Sequence, residues 1–202
     1  MAIKSWKRSQ VLGTRAHLLE TAAARFGDRG YAGTALEQLV REAGLTRGAL
    51  YHHFEDKRAL FDEVVHQTLR AVVERVERET LRRAARRGEE READAIELFV
   101  DELAEGRCHQ ILCLDGPAVL GRERWSDLME ARLMEPIRRV VEKGAARGRL
   151  GPELVDSLSH LLLGALLEAS LLVGTPGPSA IRREELDAGL SWLLDRILGP
   201  AG

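Results

Sequence analysis

The sequence predicts an all-α protein: a small three-helix head in residues 1–56, joined by one long helix to a larger helical body in residues 57–202. Three observations carry this prediction. Apolar residues recur at three- and four-residue spacing along most of the chain, and the alternation of half-buried strands is almost absent. Glycines and prolines interrupt that pattern at intervals that suit helices. With 202 residues, 45% of them hydrophobic, the chain can also bury a sizeable core.

The first nine residues carry Lys4, Lys7 and Arg8 around Trp6 and read as a loose basic arm, or as a backbone or minor-groove contact. From about Gln10 to Gly27, Leu12, Leu19, Ala22, Ala23 and Phe26 recur at helical spacing, and Gly27 and Gly30 are expected to stop the element. Thr34 and Glu37 then have capping-box spacing, followed by Leu36, Leu39, Val40 and Ala43 on one helical face. Gly44 gives a sharp exit, and Thr46 is a good N-cap for the next helix. Leu45 and Leu50 stand where their side chains can staple its entry. Thr34 to Lys57 thus reads as a helix–turn–helix with a third helix beginning at its end.

The second of these helices divides its residues between two surfaces. Leu50 and Phe54 point back to the first helix, while Arg47, Gly48, Tyr51 and His52 share the opposite side. Such a face offers donors at several heights and one position without a side chain, which suits entry into a major groove. Arg47 can reach guanine O6 and N7 bidentately. Lys57 opens the next helix, where the macrodipole disfavours a cation, so free N–H groups plus an ammonium read as a phosphate site.

The pattern Phe26, Gly30-Tyr31, Thr34, Ala43-Gly44-Leu45-Thr46, Gly48, Leu50-Tyr51, His53-Phe54 and Lys57 resembles the DNA-binding domain of TetR-family one-component transcription regulators. It covers roughly the first third of the chain. The resemblance implies a homodimer that holds a roughly palindromic double-stranded operator and is released by a small-molecule effector. Thr34, Thr46, Arg47, Gly48, Tyr51, His52, His53 and Lys57 would make the DNA contacts. Ala35 departs from the pattern, because the family usually has a second Ser or Thr there for a phosphate. A ligand-independent DNA binder, or an activator or co-repressor-type regulator, are the alternatives.

Beyond the head, Asp56 is expected to cap a helix from Lys57 to about Arg87, with Leu60, Phe61, Val64, Val65, Leu69, Val72, Val73 and Val76 on its inner face. Arg82, Arg83, Arg86 and Arg87 at its far end read as a solvated helix end. Gly88 to Glu92 is a charged break. Ile96, Phe99, Val100 and Leu103 resume the periodicity, which stops at Gly106 and restarts briefly before Asp115-Gly116-Pro117 ends it. A further apolar set runs from Val119 to Val141, with Pro136 either kinking one helix or opening a second. Two helices finish the chain, about 153–173 and 183–198, around the loop Gly174-Thr175-Pro176-Gly177-Pro178. They carry more apolar surface than one neighbour covers, and a pair from each of two subunits would make a four-helix dimer interface through Leu158, Leu162, Ala165, Leu166, Ala169, Leu190, Trp192, Leu193 and Ile197. By the same resemblance the body is a ligand-binding and dimerisation domain, its pocket lined by Phe99, His109, Leu114, Trp125, Met129, Leu133, Glu168 and Ser170. Glu168 stands out, since a carboxylate inside so apolar a helix must be paired or face a cavity or the dimer seam.

Charge and composition bound the rest. The net charge is −2, yet residues 1–60 hold ten Lys and Arg against six Asp and Glu, a local +4 that leaves −6 for the remainder. This asymmetry fits a DNA-facing end on an acidic regulatory body. Cys108 and Cys113 make no disulfide framework and, with His109, no established zinc spacing, so neither metal nor cofactor is expected. No nucleophile elbow, phosphate-binding glycine loop or paired carboxylate motif is present, which makes an enzyme the weakest class. The N-terminus lacks an apolar signal region, and the run Leu161 to Val173 is interrupted by Gly164 and Glu168. A cytoplasmic protein without a membrane anchor is the expectation.

Overall fold

The computed structural model describes residues 2–89, 91–175 and 181–199, of which 2–12 by their backbone alone. All regular structure among them is helical: α1 (Ala2–Arg29), α2 (Leu36–Glu42), α3 (Arg47–His53), α4 (Lys57–Arg87), α5 (Glu92–Ala104), α6 (Gly106–Cys108), a π-helical segment (His109–Asp115), α7 (Gly116–Leu120), α8 (Arg122–Ala146), a 3-10 turn (Pro152–Leu154), α9 (Val155–Gly174) and α10 (Arg183–Leu198). Part of the expected loop after Gly174, residues 176–180, lies outside the described residues.

The head is built around three aromatic rings. Phe61 of α4 meets Phe26 of α1 and Tyr31 of the following turn edge-on, each at 5.0 Å between centroids. Such pairs contribute about 0.5–1.5 kcal/mol beyond their buried area. Leu18, Leu39, Leu50 and Leu60 close the same core without exposure. The first turns of α4 therefore belong to the head's core as well as to the body. Thr46 and Asp56 cap as expected: Thr46 Oγ1 accepts from Ala49 N at 3.2 Å and Asp56 Oδ1 from Ala59 N at 2.7 Å.

In the body, α9 packs between α5 and α8, and α4 leans on α5. α10 lies against α8. Arg87 donates two hydrogen bonds to the buried carboxylate of Asp94, at 2.8 and 2.7 Å, and so clips the end of α4 to α5. The 23-residue stretch Pro152–Gly174 is long and apolar enough to cross a membrane by length and composition, with mean hydropathy 1.6. Here Leu162, Leu163, Leu166 and Ala169 bury against protein instead.

Four expectations about the elements change. The loose basic arm is replaced by helix from Ala2 onward, so α1 has 28 residues and begins well before Gln10. Gly27 does not stop it: a Cβ there would lie 2.4 Å from the Arg107 side chain, so this glycine lets α6 approach α1. The Thr34–Glu37 capping box does not form, because the N-cap of α2 is Ala35, without a side-chain bond. Gly116-Pro117 does not end the segment after Gly106, since the π-helical turn runs directly into α7. Pro117 sits in the first turn of α7, where its missing N–H is not needed.

Candidate DNA-reading face and effector cavity

On α3 the buried residue is Leu50, and Arg47, Gly48, Tyr51 and His52 are all exposed on the outer surface. Arg47 does not project freely: its Nη2 lies 3.0 Å from Glu37 Oε1, and its guanidinium stands 6.0 Å from the Tyr51 ring centroid. Glu37, which the sequence offered as a capping partner, thus reaches across to the residue most able to read a base. Thr46 is exposed, although its hydroxyl oxygen is engaged by Ala49 N. His53 is half-buried beside His52, and burial pushes its pKa down, with His52 and Arg15 adding to the effect.

Thr34 does not fit its expected role at phosphate. It is buried, and its hydroxyl donates to the carbonyls of Gly30 at 2.8 Å and Arg25 at 3.2 Å, closing the end of α1. A hydroxyl committed to satisfying helix-end carbonyls is not free for DNA. Lys57 is half-buried with its ammonium 4.2 Å from the Tyr31 ring centroid. Burial lowers its pKa, and the Asp115 carboxylate opposes that change.

The head meets the body along the segment from Arg107 to Leu120. Arg107 donates to both carboxylate oxygens of Asp28, at 2.7 and 2.9 Å. Asp115 Oδ2 accepts from the backbone N–H of Tyr31 at 2.7 Å and from Gln110 Nε2 at 3.0 Å. From α4, Arg58 donates to the carbonyls of Val119 at 3.2 Å and Leu120 at 2.7 Å, and Asp62 accepts Arg124 through both oxygens. About one turn beyond the latter pair, His66 contacts Arg132.

Further along α4 the contacts become apolar and leave a cavity of about 70 Å³. Val73, Ala95, Ile96, Phe99, Leu133, Pro136, Ile137, Val140 and Leu166 line it, from α4, α5, α8 and α9. None of these side chains carries a polar atom. Among the described residues no cluster of three His, Cys, Asp or Glu is arranged to hold a metal ion.

Residues 18–64 match the family model described as bacterial regulatory proteins, tetR family, and residues 89–197 that described as tetracyclin repressor-like, C-terminal domain. The chain belongs to the TetR family. A TetR-family transcriptional regulator from Pectobacterium atrosepticum has a crystal structure similar to this one, with TM-score 0.75 and 30% identity over 96% of this chain and 99% of that one. The transcriptional regulator AcrR of Shigella flexneri is 42% identical over 64 residues, 32% of this chain and 29% of AcrR. The probable acrEF/envCD operon repressor of Escherichia coli K12 is 44% identical over 57 residues, 28% of this chain and 26% of that protein. The chain thus aligns with less than a third of the length of these curated relatives.

The residues expected to line a pocket fall in several places in the body of this TetR-family member. Only Phe99 and Leu133 reach the cavity. Ser170 is buried and donates to its own helix at Leu166 O, and Met129 is plain core. His109 is buried with Nε2 3.2 Å from Thr175 Oγ1, and burial depresses its pKa. Trp125 packs over Gly116, Leu114 is exposed, and Glu168 is exposed on the outer side of α9. The signal that could have found the cavity was Leu133, Pro136, Ile137 and Val140, one face of α8 around an interior proline.

The expected dimer residues also divide. Leu162, Leu166, Ala169 and Leu190 are buried within the chain itself, and Leu166 lines the cavity. Leu158, Ala165 and Ile197 are half-buried, while Trp192 and Leu193 are exposed. Leu161, 68% exposed, and the open glycines Gly164 and Gly189 lie outside the expected set. A helix that is apolar nearly all round does not show in its sequence which side faces its own core.

Proposed function

We propose that the chain is a homodimeric, cytoplasmic repressor that holds a roughly palindromic operator and leaves it when a small apolar effector enters the body. The outward face of α3 carries this reading: Arg47, Gly48, Tyr51 and His52 stand together on a helix of the size a major groove admits. Arg47 reads a base edge, Gly48 permits close approach, and Thr46, Tyr51, His52, His53 and Lys57 hold phosphates. The division into a head, 1–56, and a body, 57–202, is kept, with the start of α4 shared between them. The relative named an operon repressor supports the sign of regulation.

A second copy of this chain is the proposed occupant of the exposed apolar residues on α9 and α10. On α9 Leu161 is 68% exposed and Gly164 carries no side chain; on α10 Trp192 is 58% exposed, with Leu193 next to it in sequence and the side-chain-free Gly189 one turn before. Small residues there let helices approach closely, and large exposed apolar groups mark an interaction site. Glu168 lies at this seam rather than in the cavity.

The effector is proposed to be uncharged and largely hydrocarbon, because a charge or unpaired polar group placed among nine apolar residues would lose several kcal/mol of hydration. The cavity is about half the size of the ~150 Å³ dry cavity known to take benzene. A larger ligand must part α5, α8 and α9 from α4, the helix on which the head is mounted. Duplexes selected from a random pool by the full-length protein, then challenged with linear alkanols, monocyclic arenes and charged amphiphiles, test the reading. Release by neutral compounds alone is expected. Failure to enrich any sequence would sink the operator assignment, and release only by charged compounds would sink the effector class.

A further inference from the structure

The α1–α2 turn is completed from outside the head. In a helix that ends on a left-handed glycine, the next N–H commonly turns back to a carbonyl of the same helix. Gly30, at φ +71°, follows this pattern with its own N–H, which donates to Phe26 O at 2.9 Å. The N–H of Tyr31 leaves it and donates instead to Asp115 Oδ2, at 2.7 Å, across 84 residues of sequence. The approach is close: a Cβ on Gly30 would lie 3.2 Å from Gln110 Nε2 and 3.4 Å from Asp115 Oδ2.

Asp115 is the last residue of the π-helical segment, a winding that is rare and concentrated at functional sites. At the start of that segment His109 is fixed to Thr175 at the end of α9, and just before it Arg107 grips Asp28 on α1. The Arg107–Asp28 pair is exposed on both sides and contributes little rigidity. The Asp115–Tyr31 bond is partly buried, ends on backbone, and is steadied by Gln110 on the same oxygen. The Tyr31 ring in turn packs between Phe61 and the Lys57 ammonium, so the turn that Asp115 holds also seats the first residue of α4.

We propose that Asp115 is a positioning residue for DNA recognition, a latch from the π-helical segment that sets the angle of the helix–turn–helix head on the body. It touches no DNA itself. Its contribution falls on the spacing of two heads, and in this it rests on the dimeric reading above. A change of winding between Arg107 and Asp115 would rotate the carboxylate away from Tyr31 while leaving α3 and its outer face intact. Fixing the head before binding matters only for a duplex that both heads must engage together, since an unfixed pair loses effective concentration at the second half-site.

The test compares Asp115→Ala and Asp115→Asn in the full-length protein, on a duplex selected by the wild type and on one half-site of it. Asp115→Ala is expected to weaken the full duplex by at least about tenfold, leave the half-site within about twofold, and tolerate one inserted base pair between half-sites better than the wild type. Asp115→Asn keeps an oxygen that accepts the Tyr31 N–H and should restore wild-type values. Amide exchange at Tyr31 should quicken in Asp115→Ala and not in Asp115→Asn. Gln110→Ala, which loosens the carboxylate but keeps its charge, should move the full-to-half-site ratio the same way by less. Equal losses on both duplexes, or equal losses in the Ala and Asn variants, would overturn the latch. A wild type with no preference for the full duplex would count against the dimeric reading; the latch then stands or falls on Tyr31 exchange, and an unchanged rate in Asp115→Ala overturns it.

Discussion

Arg47 on α3 and Glu37 on α2 hold each other in an exposed ion pair, 3.0 Å from Nη2 to Oε1, on the surface proposed to meet DNA. The guanidinium must leave this carboxylate to read a base. An exposed pair of this kind is worth about 0.2–1 kcal/mol and is screened by salt. Glu37→Gln is therefore expected to tighten binding of a selected duplex by a few-fold at low salt, with the gain shrinking as salt rises. Fluorescence anisotropy at two salt concentrations checks it, and a gain independent of salt would assign the effect elsewhere.

Arg47 and Lys57 should differ in kind. Arg47→Ala is expected to cost about 1–3 kcal/mol on the preferred sequence and to relax discrimination at one position. Lys57→Ala should weaken all sequences alike and lower the salt slope by about 0.9. Equal loss on all sequences for Arg47→Ala would make it a backbone contact.

Thr80 offers a test of the body's stability. Its Oγ1 is buried on α4 and has no hydrogen-bond partner among the described residues. Replacing an unsatisfied hydroxyl by an apolar group of the same shape removes a penalty of about 1–3 kcal/mol. Thr80→Val is expected to raise the midpoint of thermal unfolding; a clear fall would mean that the hydroxyl is satisfied in solution.

The cavity supplies the opposite case. Phe99 packs at its wall and is 8% exposed, so Phe99→Ala should cost about 3–5 kcal/mol and enlarge the space. Denaturant unfolding measures the loss. Neutral arenes should recover part of it by filling the hole, and charged amphiphiles should not.

His109 gives the chain a pH dependence with a fixed sign. Its pKa is lowered from 6.5 by burial, so the folded protein keeps it neutral while the unfolded chain protonates. Stability is thus complete above pH 6.5 and declines as pH falls from there towards the depressed folded value. His109→Gln should flatten the fall in midpoint between about pH 7 and 5.5, leaving the share due to His53, whose pKa is lowered in the same sense. An equally steep fall in the variant would remove His109 from the account.

The helix–turn–helix was legible because it is local. Thr46 and Asp56 cap helices that begin one residue later, and Leu50 faces inward from a spacing visible in the sequence. The same local logic gave α4 its bounds at 57 and 87 and α10 its bounds at 183 and 198. It went astray at Thr34, where a capping-box spacing competed with the carbonyls of Arg25 and Gly30 at the end of α1, and those partners won. The cavity and the exposed apolar side of α9 were not legible either. α9 is apolar nearly all round, and only the packing of α5 and α8 on one side decides that Leu166 faces the cavity while Leu161 faces out.

The sequence by itself determined the helical class, the head with its exposed Arg47 face, and the cap that starts α4, because each depends on residues within two or three turns of one another. The tertiary structure alone decided that Glu37 holds Arg47, that nine apolar residues from four helices enclose a space, and that Asp115 caps a turn 84 residues away. These depend on close approach between distant segments, and short-range periodicity carries no record of which helix faces will meet.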